Sequence, residues 1–561
     1  MPAPRTLFYR RFLSHSRRSE KAVAPVEVSP AAPHLRAVPS PTPGAAMSHP
    51  SPSSGLSLSD LTFAWPDGTA VFDGLDTTLP AGRTGLVGRN GSGKSTLLQI
   101  MSGEIQPTRG SVTVRGRVSR LPQDVILDPH RAVDAVLGID TVRAALRRIE
   151  AGSTAVEDFD AVGERWDIEE RALATLHRLG LDRIVASPSD FDRTVGTLSG
   201  GETVLLALTA RLLDEPDVLL LDEPTNNLDS AARARLYDVL REFAGTLVVA
   251  THDRDLLERV DTVAEMRDGR LRLFGGNYSE YERIVAAEQE AALAAVRDAR
   301  ADVRRQAREL SDSHIKIARR ERYGRKMFEN KREPKIVMGA RKRQAQESAG
   351  RLRREHEGKL AGARENLERA QGTVRDDREI RVDLPETEVH PGARVAEGPL
   401  EIVGPERIAL RGPNGSGKTT LLRDIVAAGP RVPFAVLPQR LDVFDESLSV
   451  ADNVALRAPH ASPQQVRALL ARFLFRGADA DMPAAALSGG ERLRAALATL
   501  LAADPAPRLL LLDEPTNNLD LPSLTHLVQA LRAYRGAFVV VSHDERFLAD
   551  IGVTRSVRLE R

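Results

Sequence analysis

Two stretches, GRNGSGKST at Gly88–Thr96 and GPNGSGKTT at Gly412–Thr420, constrain the fold of this chain more than anything else in it. The first follows GRTGLVG, an apolar run that reads as a strand, as does the alternating LSLSDLTFAWPDG before it. A glycine-rich turn between strand and helix makes a phosphate cradle. Its glycines let backbone N–H groups close around phosphate oxygens, its lysine reaches the β and γ phosphates, and the next hydroxyl binds Mg²⁺. Gly88, Asn90, Gly91, Gly93, Lys94, Ser95 and Thr96 are thereby candidates for one ATP, and Gly412, Asn414, Gly415, Gly417, Lys418, Thr419 and Thr420 for another.

Downstream of each loop an apolar run ends in paired carboxylates, Asp222 and Glu223 after VLLL and Asp513 and Glu514 after LLLL. At the carboxyl edge of a parallel sheet such a pair meets the phosphates. Asp222 and Asp513 then support Mg²⁺, while Glu223 and Glu514 orient and polarise the attacking water. The distance from Asp222 to His252 equals that from Asp513 to His543, thirty residues, so the chain carries a duplicated domain. The expected fold class is α/β, with two P-loop domains.

LSGGE occurs at Leu198–Glu202 and Leu487–Glu491, and with these motifs the chain resembles the ATP-binding cassette superfamily. DEPTNNLD, at Asp222–Asp229 and Asp513–Asp520, narrows the resemblance to the ABC-F subfamily, where two Asn stand in place of the Ser-Ala of transporter cassettes. The resemblance implies that each signature caps the nucleotide of the opposite cassette. Ser199, Gly200, Gly201 and Glu202 would then serve the second P-loop, and Ser488, Gly489, Gly490 and Glu491 the first. It implies also that Gln123 and Gln439 sense Mg²⁺ and water, that His252 and His543 hold the γ-phosphate, and that Asp229 lies on the loop crossing between sites. An aromatic residue upstream of the P-loop stacks on adenine in such cassettes. Trp65 fits, Phe63 competes with it, and either ring could be a strand core residue. The second copy offers only ETEVHPGARV there, a departure that leaves His390 as the alternative. Both copies keep the hydrolytic Glu, so two competent sites are expected in a monomer whose cassettes pair intramolecularly.

The domains follow as a leader at 1–55, cassettes at 56–280 and 380–561, and a linker at 281–379. The leader is Pro-rich, with seven Arg or Lys and two Glu up to residue 46; it reads as disordered, either a transit peptide or an extension upstream of a start at Met47. P-loop Lys to signature Ser spans 105 residues in the first cassette and 70 in the second. The excess falls in a helical insert at about 125–193, which reads as an ordinary subdomain in preference to the arm some ABC-F proteins extend to the ribosome.

In the linker, Val296, Val303, Leu310 and Ile317 recur every seven residues, and Leu360, Ala363, Leu367, Ala370 and Val374 alternate spacings of three and four. Between them lies MFENKREPKIVMGARKR, where Pro334 suits a helix start. This predicts an antiparallel helical hairpin, roughly 60 Å long for some forty-odd residues a helix. From Arg304 to Glu355 there are eighteen Lys or Arg against seven Asp or Glu, in a chain of net charge +1. Such a basic tip attracts nucleic-acid phosphates. Lys326, Lys331, Arg332, Lys335, Arg341, Lys342 and Arg343 are the candidate RNA contacts, with Met327 and Phe328 either touching nucleotides or packing the closing turn.

The absence of cysteine excludes disulfides and thiolate sites, and no apolar run is long enough to span a membrane. The resemblance implies a cytoplasmic ATPase on the ribosome, its linker facing rRNA and the P-site tRNA, as a translation factor or a protector against antibiotics. Two other classes share the nucleotide motifs. An exporter ATPase with a separate membrane subunit leaves the basic hairpin unexplained, and DNA-handling ATPases insert their coiled coil inside one head.

Overall fold

The structure is a computed structural model and describes residues 55–560 apart from 330–334, 376–379, 381–383, 440, 442 and 518. The leader up to residue 54 lies outside the described residues.

Runs such as VLLLD and TLVVA are apolar on both faces, which suits a parallel strand covered by helices on each side. Two such sheets result. The first runs Val118–Leu121, Val218–Asp222, Thr246–Ala250, Arg83–Gly88, Thr262–Arg267 and Arg270–Gly275, parallel except for its last pair. The second runs Phe434–Leu437, Leu509–Asp513, Ala537–Val541, Arg407–Arg411 and Arg555–Arg558, parallel throughout. The five parallel strands take the same order in both, as expected of a duplicated α/β cassette, and the first sheet adds the antiparallel strand Arg270–Gly275.

The copies differ on the nucleotide side. In the first, the strand Leu56–Ala64 pairs with Ala70–Leu79 and Arg109–Thr113 in a three-stranded antiparallel sheet. In the second, among the described residues, only Arg394–Ala396 and Ile402–Val403 pair there.

The helical insert folds into four helices, Val133–Leu137, Asp140–Glu150, Val156–Val162 and Ile168–Arg178. Val133, Val142, Val162 and Leu176 share one core with Leu205 and Leu206 of the signature helix Gly200–Leu213, so the insert packs as a subdomain. Arg143 is fully buried within it. It donates to Glu169 at 2.7 Å, to Asp192 at 3.1 Å and to the Pro188 carbonyl at 2.9 Å, and pairs with Asp134.

The linker forms helices Tyr278–Glu329 and Lys335–Thr373, with Val296, Ile317, Leu360 and Ala363 buried along their seam. At 52 residues the outgoing helix is longer than the sequence suggests, roughly 78 Å. It starts inside the first cassette because Tyr281 packs edge-on against Phe274, centroids 5.0 Å apart. The foot of the hairpin is clamped there as well. Arg375 donates to Glu265 at 2.6 and 3.0 Å, its N–H and carbonyl bond the Gln289 amide, and Tyr281 Oη donates to Glu265 at 2.9 Å. The backbone N–H of Ile380 donates to Gln529 at 2.8 Å, tying the next segment to the second cassette.

Candidate nucleotide sites

Sheet order brings the chemistry together. The histidine strand lies between the P-loop strand and the carboxylate strand, with Ala250 in register with both Leu86 and Asp222, and Val541 with both Leu410 and Asp513. Lys94 Nζ donates to the carbonyls of Gly88 and Arg89 at 2.8 and 3.1 Å, and Lys418 Nζ to those of Gly412 and Pro413 at the same distances. Gly93 has a φ of 98°, and a side chain there would meet Val71 Cγ1 at 2.6 Å, so the antiparallel sheet braces the first P-loop. Gly417 meets nothing within 4 Å.

Glu223 and Glu514 have φ of 47° and 46°, a left-handed backbone that costs a non-glycine residue energy. Each is held by its N–H, donated to Ala250 at 2.8 Å and to Val541 at 3.0 Å. His252 and His543 Nε2 lie 3.4 Å from the Glu223 and Glu514 carboxylates. Burial pushes Glu223 up to about 8 and Glu514 to about 7, and pushes His252 down to about 3 and His543 to about 4. Both imidazoles are therefore neutral near pH 7, able to donate one hydrogen bond and accept another. Burial also lowers Lys94 and Lys418. Both ring nitrogens of His252, with Ser92 Oγ and Ser416 Oγ in the P-loops, are buried without a hydrogen-bond partner among the described residues. Such orphaned groups are rare in a folded chain, and phosphate oxygens would satisfy them.

Magnesium fits the same residues. Ser95 hydrogen-bonds Asp222, whose carboxyl burial raises. Thr419, Gln439 and Asp513 line one cleft of about 390 Å³, and Gln123 lies exposed just beyond the strand that ends at Leu121. Among the described residues no three His, Cys, Asp or Glu could hold a metal alone, so the nucleotide's phosphates would complete the set.

The cassettes meet reciprocally across these sites. Asn90 N–H donates to Asp520 at 2.9 Å and Asn414 N–H to Asp229 at 3.3 Å. Asn414 Nδ2 also donates to the Asn227 carbonyl at 2.9 Å. Asn227 adopts φ 62°, which Asn tolerates better than most residues and which gives the Asn-Asn pair a local role. Its second-copy counterpart, Asn518, lies outside the described residues. A Cβ on Gly489 would sit 3.6 Å from Asn90 Nδ2, so the second signature faces the first P-loop. Gly490 admits no side chain, since Ser523 Oγ would be 2.3 Å away, and Gly201 is confined by the Asn227 carbonyl, 2.9 Å from where a Cβ would sit. Glu202 and Glu491 turn back to their own helix starts, accepting from the hydroxyls of Ser199 and Ser488 at 2.7 and 2.6 Å. They fix the signature serines in capping boxes.

Phe63 is buried in the core and Trp65 stands exposed beside it, rings edge to face at 5.1 Å. That arrangement leaves the Trp65 face to a base. His390 is exposed in a turn, where Nδ1 accepts from the Gly392 N–H at 3.3 Å. At the hairpin tip Lys326 and Arg343 are exposed. Lys331 and Arg332 lie outside the described residues; Lys335, Arg341 and Lys342 fall on the returning helix, and Met327 and Phe328 on the outgoing one, their side chains outside the described set. No motif pointed to Arg233, which the fold brings to the second site.

The family profile described as ABC transporter matches residues 72–226, and one described as AAA domain, putative AbiEii toxin, Type IV TA system, matches residues 428–549. The chain is 33% identical to tylosin resistance ATP-binding protein TlrC of Streptomyces fradiae over 88% of its own length and 96% of that protein. It is 29% identical to energy-dependent translational throttle protein EttA of Escherichia coli strain K12, over 84% and 85%. Among solved structures, archaeal ribosome recycling factor aABCE1, in complex with archaeal ribosomal stalk protein aP1, matches with TM-score 0.53 at 20% identity, over 89% of this chain and 87% of that one, a likeness of fold.

Proposed function

This chain belongs to the ABC-F family of ATP-binding cassette proteins and is an ATP hydrolase, and from that premise we propose that it acts on the ribosome, closing its cassettes on ATP at two composite sites and working through its basic hairpin. The observation that carries this reading is the reciprocal contact of Asn90 with Asp520 and of Asn414 with Asp229, which puts residues of both cassettes at each P-loop.

Lys94 and Lys418 leave their loop carbonyls to bind the β and γ phosphates. His252 and His543 hold the γ-phosphate, and Glu223 and Glu514 orient the attacking water. Ser95, Gln123 and Asp222 would hold Mg²⁺ at one site and Thr419, Gln439 and Asp513 at the other, where the ion would supply neutralisation of phosphate charge. Trp65 stacks on the adenine of the first site only. Ser199 and Ser488 close each site from the opposite cassette. Hydrolysis lets the halves part, and the hairpin, clamped at Arg375 to one cassette and at Ile380 to the other, swings with them.

The basic tip faces rRNA and the P-site tRNA in the cytoplasm, and the protein acts as a monomer. The relatives' names, one for tylosin resistance and one for translational throttling, support a ribosomal target for this chain too. Among the described residues no helix is long and apolar enough to cross a membrane. A pull-down treated separately with RNase and DNase tests the partner. Association with ribosomal subunits lost to RNase alone is expected; association with a membrane protein, or loss to DNase alone, overturns the reading.

A further inference from the structure

The helix Ser230–Glu242 begins immediately after Asp229 and carries Arg233 one turn in. Although it belongs to the first cassette, Arg233 lines the second cassette's cleft together with Lys418, Glu514 and His543. Its Nε donates to the Leu228 carbonyl at 3.1 Å, which fixes the side chain on that loop. Its Nη1 is ion-paired with Asp253 Oδ2 at 3.7 Å, a separation beyond hydrogen-bond distance. The two sites are not alike in this. Asp520 caps the helix Leu521–Ala533 as Asp229 caps its own, and the residue four positions on is Leu524, buried in the second core.

We propose that Arg233 is a catalytic arginine supplied across the interface to the second site alone, its Nη groups stabilising the charge on the γ-phosphate that Lys418 and Glu514 process. The proposal rests on the two-site reading above. In the step it assists, the water oxygen bonds to γ-phosphorus while the bond to the β–γ bridging oxygen breaks, ADP leaves with that electron pair, and the water's proton passes to Glu514 and then to solvent. The planar guanidinium fits the equatorial oxygens, where an arginine in trans is worth ~10³-fold or more in rate.

The test compares saturating ATP turnover and KM in the full-length chain and in R233A, R233K, E514Q and R233A/E514Q, with K418A as reference. R233A is expected to lower turnover to the level of E514Q with KM within about twofold, R233K to recover part of the loss, and R233A/E514Q to fall no lower than E514Q. In an E223Q background, where the second site works alone, R233A should cost ~10³-fold. Equal losses from R233A with and without E514Q would make Arg233 an interface packing residue and overturn the assignment. Loss in K418A but none in R233A would overturn the arginine alone. No loss in K418A would overturn the two-site reading and the arginine with it.

Discussion

The backbone N–H of Asn90 donates to Asp520 Oδ2 at 2.9 Å across 430 positions of chain. The same carboxylate caps its own helix through Oδ1, which accepts from the Ser523 N–H at 2.9 Å. One side chain thus links the second cassette's helix start to the first cassette's phosphate loop, and Asp229 does the reverse, accepting from Ala232 N–H at 2.9 Å and Asn414 N–H at 3.3 Å.

The two duties of Asp520 separate by substitution. Asn caps as well as Asp does, whereas Ala loses about 1 kcal/mol of cap. D520N should keep the thermal midpoint and lose ATP turnover, since it removes the charge beside Asn90 and Lys94; D520A should lose both. Turnover unchanged in D520N would show that the cap alone matters.

Arg143 satisfies Asp134, Glu169 and Asp192 from a fully buried position. Removing one partner of a buried ionic group costs about 3–5 kcal/mol. R143A should show that loss in urea unfolding, with exchange rising first across residues 133–192. A loss under about 1 kcal/mol would contradict this.

Arg375, just past the end of the returning helix, ties the hairpin to Glu265 with two charged hydrogen bonds. R375A should leave ATP turnover of the free protein within about twofold while costing roughly 1.5–3 kcal/mol locally, read as faster amide exchange around Gln289. Unchanged exchange there would mean that the Gln289 amide alone suffices.

Reversing Arg341, Lys342 and Arg343 to Glu should weaken ribosome association and flatten its dependence on salt, because fewer counterions are released per binding event. Unchanged affinity would reduce the tip to a spacer.

The motif residues were legible because phosphate chemistry demands fixed types at fixed spacing, and strand order then carried Lys94, Asp222 and His252 to one place. The competition between Phe63 and Trp65 was not decidable from alternation alone; burial of Phe63 against the sheet separates them. The left-handed φ of Glu223 and Glu514 leaves no mark in sequence, since glutamate there is kept for its carboxylate. Arg233 was invisible for a different reason: its neighbours in space, Glu514 and His543, lie in the other cassette, and no short motif spans that distance. The foot of the hairpin, Glu265 with Arg375, is hidden likewise by a sequence separation of 110.

The central claim is that ATP held at both sites locks this chain onto the ribosome through its hairpin. Glu223→Gln with Glu514→Gln should bind ATP and scarcely hydrolyse it, and its sedimentation with ribosomes on a sucrose gradient, with and without ATP, measures the claim directly. ATP-dependent migration with whole ribosomes, abolished by deleting the hairpin, is the predicted result. Failure to migrate with ribosomes despite demonstrated ATP binding would contradict the account.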